Sequence, residues 1–274
     1  MNKLLVFIMA MAACLGIIAF IMVLIRPDKS CLKEKYDAPM ITAVILNYDR
    51  PKNVEQQVEV LGNHPRISEI IIGHGKADTY KKFKHTSAKV HNIKDYANNK
   101  KYYCLRRHLL ALKASNGIIL MLDDDYIPSV DYIDAMYRQY HIDPDNFCGY
   151  YSRLCTKDGY KVSYPEKGQS VSKTANIILP GVSMIGKHVI RRVWNEILKS
   201  SYLNEVAVKN KGNGEDLLFN YYFRKLYNKK PILVTGNVKH LDNSNGYSTG
   251  EYNDGKQNHY KIRKSLCSMF NIPE

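Results

Sequence analysis

The chain opens on one unbroken apolar run and then alternates between two hydrophobic rhythms. Leu4 to Ile25 carries no charge, and at about 1.5 Å of helix rise per residue it spans about 33 Å, enough to cross a bilayer. Lys3 stands before it and Arg26, Pro27, Asp28 and Lys29 follow, the proline being a natural stop for a helix. A cleaved signal peptide would have an apolar core of only about 7–15 residues. Residues 1–25 are therefore read as a transmembrane anchor and residues 26–39 as a polar stem. Beyond the stem, residues 41–46 form a continuous run of mostly branched apolar side chains, the pattern of a strand buried on both faces. Pro51 suits the first turn of a helix, and Val54, Val58 and Leu61 recur at helical spacing across residues 52–62. A second buried strand is predicted over 67–72, and a third, short strand over 88–93. The spacing of Leu105, Leu109 and Leu112 predicts a helix over 102–115, closed by Asn116-Gly117. Residues 118–122 are then a strand running into Asp123-Asp124-Asp125.

Downstream the pattern predicts helices over 130–140, 187–199, 216–228 and 257–270. Strands are predicted over 147–154, 160–164 and 231–234, with an apolar stretch at 176–179 before Pro180-Gly181. Strand and helix alternating in this way make an α/β fold with a mixed, mainly parallel central sheet flanked by helices. No linker divides it, so residues 40–274 are read as a single domain. Ligands of such sheets bind beyond the carboxyl ends of the strands. Both Asn47 to Arg50 and Asp123 to Asp125 sit at such ends.

Three adjacent carboxylates raise one another's pKa, and a divalent cation resolves the conflict. On an extended backbone Asp123 and Asp125 would share a face and serve one metal while Asp124 faces elsewhere. Hard oxygen ligands select Mn²⁺ or Mg²⁺, with diphosphate oxygens completing the shell. The plain alternative is an acidic cluster at the N-terminus of the next helix. Arg50 would face the diphosphate and Asn47 the nucleoside, against the alternative of a simple strand-to-helix turn. Glu215 and Asp216 open a helix, where the dipole favours them in any case. The sharper reading sets them at the reacting sugar, positioning the acceptor or stabilising a positive centre. Arg153 and Arg263 are candidate donor contacts, with surface roles as the alternative. His240 is a candidate metal ligand and Asp242 a loop contact, although a lone histidine is more often structural.

Composition narrows the partners. With 45% hydrophobic residues and 21 tyrosines the chain is a folded one. Its net charge of +14 suits polyanions. The lysines and arginines are scattered in short runs such as Lys81-Lys82, Lys100-Lys101 and Arg106-Arg107, read either as a solvated basic surface or as attracting an anionic donor or acceptor. No nucleic-acid-binding motif accompanies them, so no nucleic-acid partner is expected. Six cysteines include no CxxC pair, which argues against structural zinc, and their spacing assigns no disulfide. The positive charges after the apolar run lean toward a cytoplasmic catalytic domain, as does the lack of any Asn-x-Ser/Thr sequon. A homodimer is left open.

Several stretches in order resemble the exostosin-type glycosyltransferases, glycosyltransferase family 64, in their C-terminal catalytic domain. They are Thr42 to Arg50, Leu122-Asp123-Asp124-Asp125, Gly149 to Leu154, Ile177 to Gly181 and Gly212 to Asn220, with a fainter echo at Arg263 to Phe270. The resemblance implies a GT-A (nucleotide-diphospho-sugar transferase) fold, a UDP-sugar donor, Mn²⁺, retention of anomeric configuration and a glycan or glycoconjugate acceptor. It also implies a Golgi- or ER-type lumenal catalytic domain behind the membrane helix. Asp216 would match the aspartate near the anomeric carbon, and Arg50 a donor-binding arginine. Two departures stand out. The family usually has Asn-Cys-Glu-Asp where this chain has Asn213-Gly214-Glu215-Asp216, so a disulfide there is lost. A histidine often found after the Arg-Leu pair is replaced by Cys155. The enzyme expected is a hexosyl- or N-acetylhexosaminyltransferase. Competing readings are an inverting GT-A transferase with Asp216 or Glu215 as base, and a membrane-anchored binding protein with a structural cation.

Overall fold

The branched apolar runs pair side by side as strands, and the amphipathic stretches between them cover the two faces. The computed structural model describes residues 41–156, 159–163, 173–241 and 256–272. The apolar segment 4–25, the stem and Asp242 lie outside them. Among the described residues no helix is long and apolar enough to cross a membrane.

β1 (Ile41–Asn47) is buried along its whole length and is followed by α1 (Pro51–Gly62), β2 (Ile67–His74) and β3 (Lys89–Lys94). Next come α2 (Tyr96–Tyr102), a single 3₁₀ turn, α3 (Arg106–Ala111), β4 (Ile118–Asp123) and β5 (Tyr126–Pro128). The helix expected over 102–115 is thus only the 3₁₀ turn and the short α3, and α2 is a separate helix ahead of it. Tyr103, between α2 and α3, has φ 49°, a left-handed conformation that ends an α-helix. The packed face of α3 is set by Leu105, Leu110 and Ala111 together with Arg106, Arg107 and His108, all buried. Leucine spacing alone misplaced it, because both sides of this helix are covered.

The chain continues through α4 (Val130–Ile142), β6 (Phe147–Gly149), β7 (Ser152–Thr156), β8 (Gly159–Ser163), β9 (Lys173–Thr174), β10 (Ile177–Ile178) and β11 (Val182–Gly186). It closes with α5 (Lys187–Lys199), a π-helical turn, α6 (Glu215–Tyr227), β12 (Ile232–Leu233), β13 (Val238–His240) and α7 (Lys256–Phe270). Ser129 caps α4 by accepting a hydrogen bond from the Tyr132 amide at 3.3 Å. The single strand expected over 147–154 is two, and β11 is an element the apolar pattern did not reveal.

The main sheet has the order β3-β2-β1-β4-β11-β6-β12-β9. β3, β2, β1 and β4 are parallel neighbours, β11 runs against both β4 and β6, and β9 runs against β12. This is the mixed, mainly parallel sheet that the sequence pattern predicts. One layer, containing α5 and α6, packs Val189, Val193, Trp194, Leu217, Leu218 and Phe223 into a core with Val44, Ile71, Ile119 and Met121 of the sheet. The intervening strand residues Ala43, Ile45, Ile70, Ile72, Leu120 and Leu122 are equally buried and point to the other face by strand alternation. α1 lies on β1 and β2, and α4 on β6 and β11. Register brings Leu46 opposite Asp123 and Asn47 opposite His74. The ends of β1, β2 and β4 therefore meet at one edge of the sheet.

Candidate active site

β4 ends at Asp123, and the backbone turns at Asp124 and Asp125 before β5 begins. The turn is held from two sides. The Asp123 amide donates to the Gly181 carbonyl at 2.8 Å. The Gln57 side chain, buried under the turn, donates to the carbonyls of Asp123 and Tyr126 at 2.7 and 2.8 Å. Strand alternation stops here, so Asp123 and Asp125 do not simply share one face as the extended pattern suggested. Instead Arg50 Nη1 lies 2.6 Å from Asp124 Oδ1 and 3.3 Å from Asp125 Oδ2. Asp123 Oδ1 accepts from Arg107 Nη2 at 2.8 Å. Asp124, expected to face away, shares its arginine with Asp125.

Burial pushes the Asp124 carboxyl up to about 6, against the pull of Arg50. Burial likewise raises Asp125, and the neighbouring charges of Asp123 and Asp124 add to the rise. Asp125 Oδ1 is buried with no hydrogen-bond partner. Arg107 is 2% exposed and keeps its proton despite that burial, because Asp123 and Glu215 flank it. Its Nη1 donates to the Pro180 carbonyl at 3.3 Å, and its Nη2 is 4.0 Å from Glu215 Oε1.

Arg107 thus links the triplet to a second acidic pair. α6 begins after Gly214, whose φ of +99° is a left-handed value that glycine adopts without strain. A Cβ at that position would sit 2.2 Å from Leu266 Cδ1 of α7. Glu215 and Asp216 in the first turn are both buried. Arg263 Nη1, from α7, donates to both Asp216 oxygens, at 2.6 Å for Oδ1. Its Nη2 lies 3.9 Å from Glu215 Oε2. The Tyr160 hydroxyl accepts from Arg263 at 3.0 Å and donates to Asp216 Oδ2 at 3.4 Å. Burial and then the Asp216 charge raise the Glu215 carboxyl. α7 is fastened by a disulfide between Cys267 and Cys155, 112 residues apart, and by Phe270 stacked on Tyr221 at 5.3 Å.

Over residues 41–272 the sequence matches the glycosyl transferase family 64 domain. The chain belongs to that family. Its fold is also that of a solved structure of GalNAc-T7 with UDP, GalNAc and Mn²⁺, at TM-score 0.52 and 12% identity. The match covers 74% of this chain and 43% of that one, so the chain spans less than half the length of that relative. No curated protein matches the chain closely in sequence.

In this family 64 chain the structure brings Arg50, Asp123, Asp124, Asp125, Glu215, Asp216 and Arg263 together. Other expected residues are engaged differently. The Asn47 amide pairs with His74 Nδ1 at 2.9 Å, leaving Asn47 Oδ1 buried without a partner. Arg153 donates to the Ser152 carbonyl at 2.8 Å. His240 pairs through Nε2 with the Tyr151 hydroxyl and sets its ring edge-on to Tyr126 at 4.5 Å. Among the described residues no three His, Cys, Asp or Glu side chains converge on a ready-made metal cage. Sequence reasoning missed Arg107, Gln57, Tyr160 and Gly181. Arg106-Arg107 passed for a solvated run, yet both are buried. The available signal was Arg107 standing at helical spacing between Cys104 and Ala111, on an apolar stripe.

Proposed function

We propose that this family 64 chain is a metal-dependent glycosyltransferase of GT-A fold. In this reading it moves a hexosyl or N-acetylhexosaminyl group from a UDP-sugar to a glycan or glycoconjugate acceptor, with retention of configuration. The observation that carries it is the acidic turn at the end of β4. Three carboxylates are crowded there, and Asp125 Oδ1 is buried with no partner. Such a donor set fits a hard divalent cation, Mn²⁺ or Mg²⁺, held by Asp123 and Asp125. The UDP and Mn²⁺ of the GalNAc-T7 structure support the same donor class and metal. When bound, the cation would offset negative charge growing on the departing diphosphate.

The chain's own residues supply the rest. Arg50 and Arg107 are cations already aimed at the acidic turn, and they can turn to phosphate oxygens when the carboxylates take up the metal. Asn47 stands at the end of β1 for the nucleoside, and Arg153 on β7 is assigned to the donor. Asp216 and Glu215 are held in place by Arg263 and Arg107, and stabilise positive charge at the reacting sugar. His240 is committed to Tyr151, so the metal is assigned to the two aspartates. The segment 4–25 anchors the chain in a membrane. The Cys155–Cys267 disulfide supports a lumenal, oxidising location for the domain.

The test is to incubate the purified chain with Mn²⁺ and each common UDP-sugar and measure UDP release. Release with one donor, abolished by EDTA and by the Asp123→Ala/Asp125→Ala double variant, is the expected result. No release with any donor, even with oligosaccharide acceptors present, would sink the reading. Anomeric analysis of the product then decides between retention and inversion.

A further inference from the structure

We infer that the Cys155–Cys267 disulfide is a positioning element of the reaction site: by fixing α7 it holds the Arg263 guanidinium on Asp216 and beside Glu215. This rests on the transferase reading above. Arg263 and Cys267 are four residues apart on α7, hence one turn apart on the same helix face. That face is covered, with Arg263, Leu266, Cys267 and Phe270 buried, whereas Lys264, Ser265, Ser268 and Met269 are exposed.

The opposing surface is the β7–β8 hairpin, in which Cys155 is the direct cross-strand partner of Tyr160. Side chains directly opposite in an antiparallel pair lie on one face of the sheet. Cys155 therefore bonds to Cys267 while its neighbour Tyr160 meets Arg263, 3.0 Å away, and Asp216. Two contacts one helical turn apart, one covalent and one a charged hydrogen-bond network, fix both the height and the rotation of α7 against the hairpin. Leu266 lies between them and fills the space over Gly214. Gly214 leaves the room that Leu266 fills, and Cys155 supplies the link that fastens α7.

The network it holds is sensitive to small displacements. Asp216 and Glu215 are adjacent and buried, and they are balanced by Arg263 and Arg107. A buried ion pair is favourable only when its geometry is good, and a shift of about 1 Å in such a group can change a rate about 100-fold.

The test is a double-mutant cycle on the full chain, read as UDP release. Cys155→Ser/Cys267→Ser removes the crosslink, and Arg263→Lys is placed in both backgrounds. Expected is a fall in kcat of roughly 10-fold or more without the crosslink, with donor KM changed less than about 3-fold. Arg263→Lys should cost roughly 100-fold in the crosslinked chain but only a few-fold without the crosslink. Wild-type kcat in the serine variant, or two losses that simply multiply, overturns the inference. Should the serine variant not fold, the native chain is reduced by dithiothreitol in the cold. The disulfide then becomes two thiols and the reagent leaves as its cyclic disulfide. Activity lost while circular dichroism is unchanged supports the inference, and activity lost only in step with unfolding overturns it. If the crosslinked wild-type chain turns over no donor at all, it is the transferase reading that has failed, and the inference falls with it.

Discussion

Arg107 is the residue on which the two acidic groups depend, 2.8 Å from Asp123 and 4.0 Å from Glu215. Removing one partner of a buried ion pair leaves the other charge uncompensated. Arg107→Met should therefore lower stability, by less than the roughly 3–5 kcal/mol of a fully buried pair because Asp123 is partly exposed, and depress UDP release at least about 100-fold. Urea unfolding and the release assay measure the two effects separately. Next to it, His108 is wholly buried and stacked on Phe219 at 4.4 Å, and neither ring nitrogen has a partner. Burial, and after it the Arg107 charge, lowers its pKa to about 3. The unfolded chain takes up this proton below about pH 6.5, but the folded chain does not until about pH 3. Its contribution is intact above about pH 6.5 and is lost as pH falls toward about 3, at up to about 1.4 kcal/mol per pH unit. The raised carboxyls of Asp124, Asp125 and Glu215 act in the opposite sense, because they bind protons in the folded state first. Comparing His108→Phe with wild type cancels that shared effect. The variant should lose less melting temperature than wild type between pH 7.5 and pH 5.

At the level of elements, β11 shows why a short strand can decide a site. It runs antiparallel beside β4, and its lead-in glycine, Gly181, accepts the Asp123 amide hydrogen bond. A Cβ at Gly181 would meet Asp123 Oδ2 at 2.5 Å. Gly181→Ala should push that carboxylate aside and lower kcat by about 10–100-fold, while thermal stability changes by less than about 1 kcal/mol. A wild-type rate in this variant would show that the approach is not functional. Removing the Cys155–Cys267 link frees a long loop in the unfolded chain and should lower stability by about 2–5 kcal/mol. β1, β2, β4, α1 and α5 were legible because each is a long run with a single hydrophobic period. β11 was not, since Val182-Ser183-Met184-Ile185-Gly186 is brief and has no repeat longer than itself. The break at Tyr103 was hidden for a different reason: a left-handed residue outside glycine leaves no mark on hydrophobic spacing. The partner of Cys267 could not be read either, because a pairing across 112 residues depends on where two separate elements dock.

Across the molecule, the ordered motifs were enough to place the acidic turn, the Glu215–Asp216 pair and Arg263 at one site. What they did not reveal is how far arginines offset the site's charge, three of them facing five carboxylates. Arg50, Arg107 and Arg263 each pair with a carboxylate, so protein partners hold these acidic groups. The fold should therefore survive chelation: EDTA is expected to leave the melting temperature unchanged while abolishing UDP release. Adding Mn²⁺ with UDP should raise that temperature, by about 2.7 kcal/mol of stabilisation at 100 times the dissociation constant. The arginine clasp has a thermodynamic corollary. On the proposed reading, each carboxylate that turned to a metal would release a guanidinium for the diphosphate, so either ligand would lower the work of binding the other. Linkage makes this reciprocal: the factor by which UDP tightens Mn²⁺ must equal the factor by which Mn²⁺ tightens UDP. Calorimetric titrations run in both orders would return that one coupling constant, and Arg50→Met should shrink it.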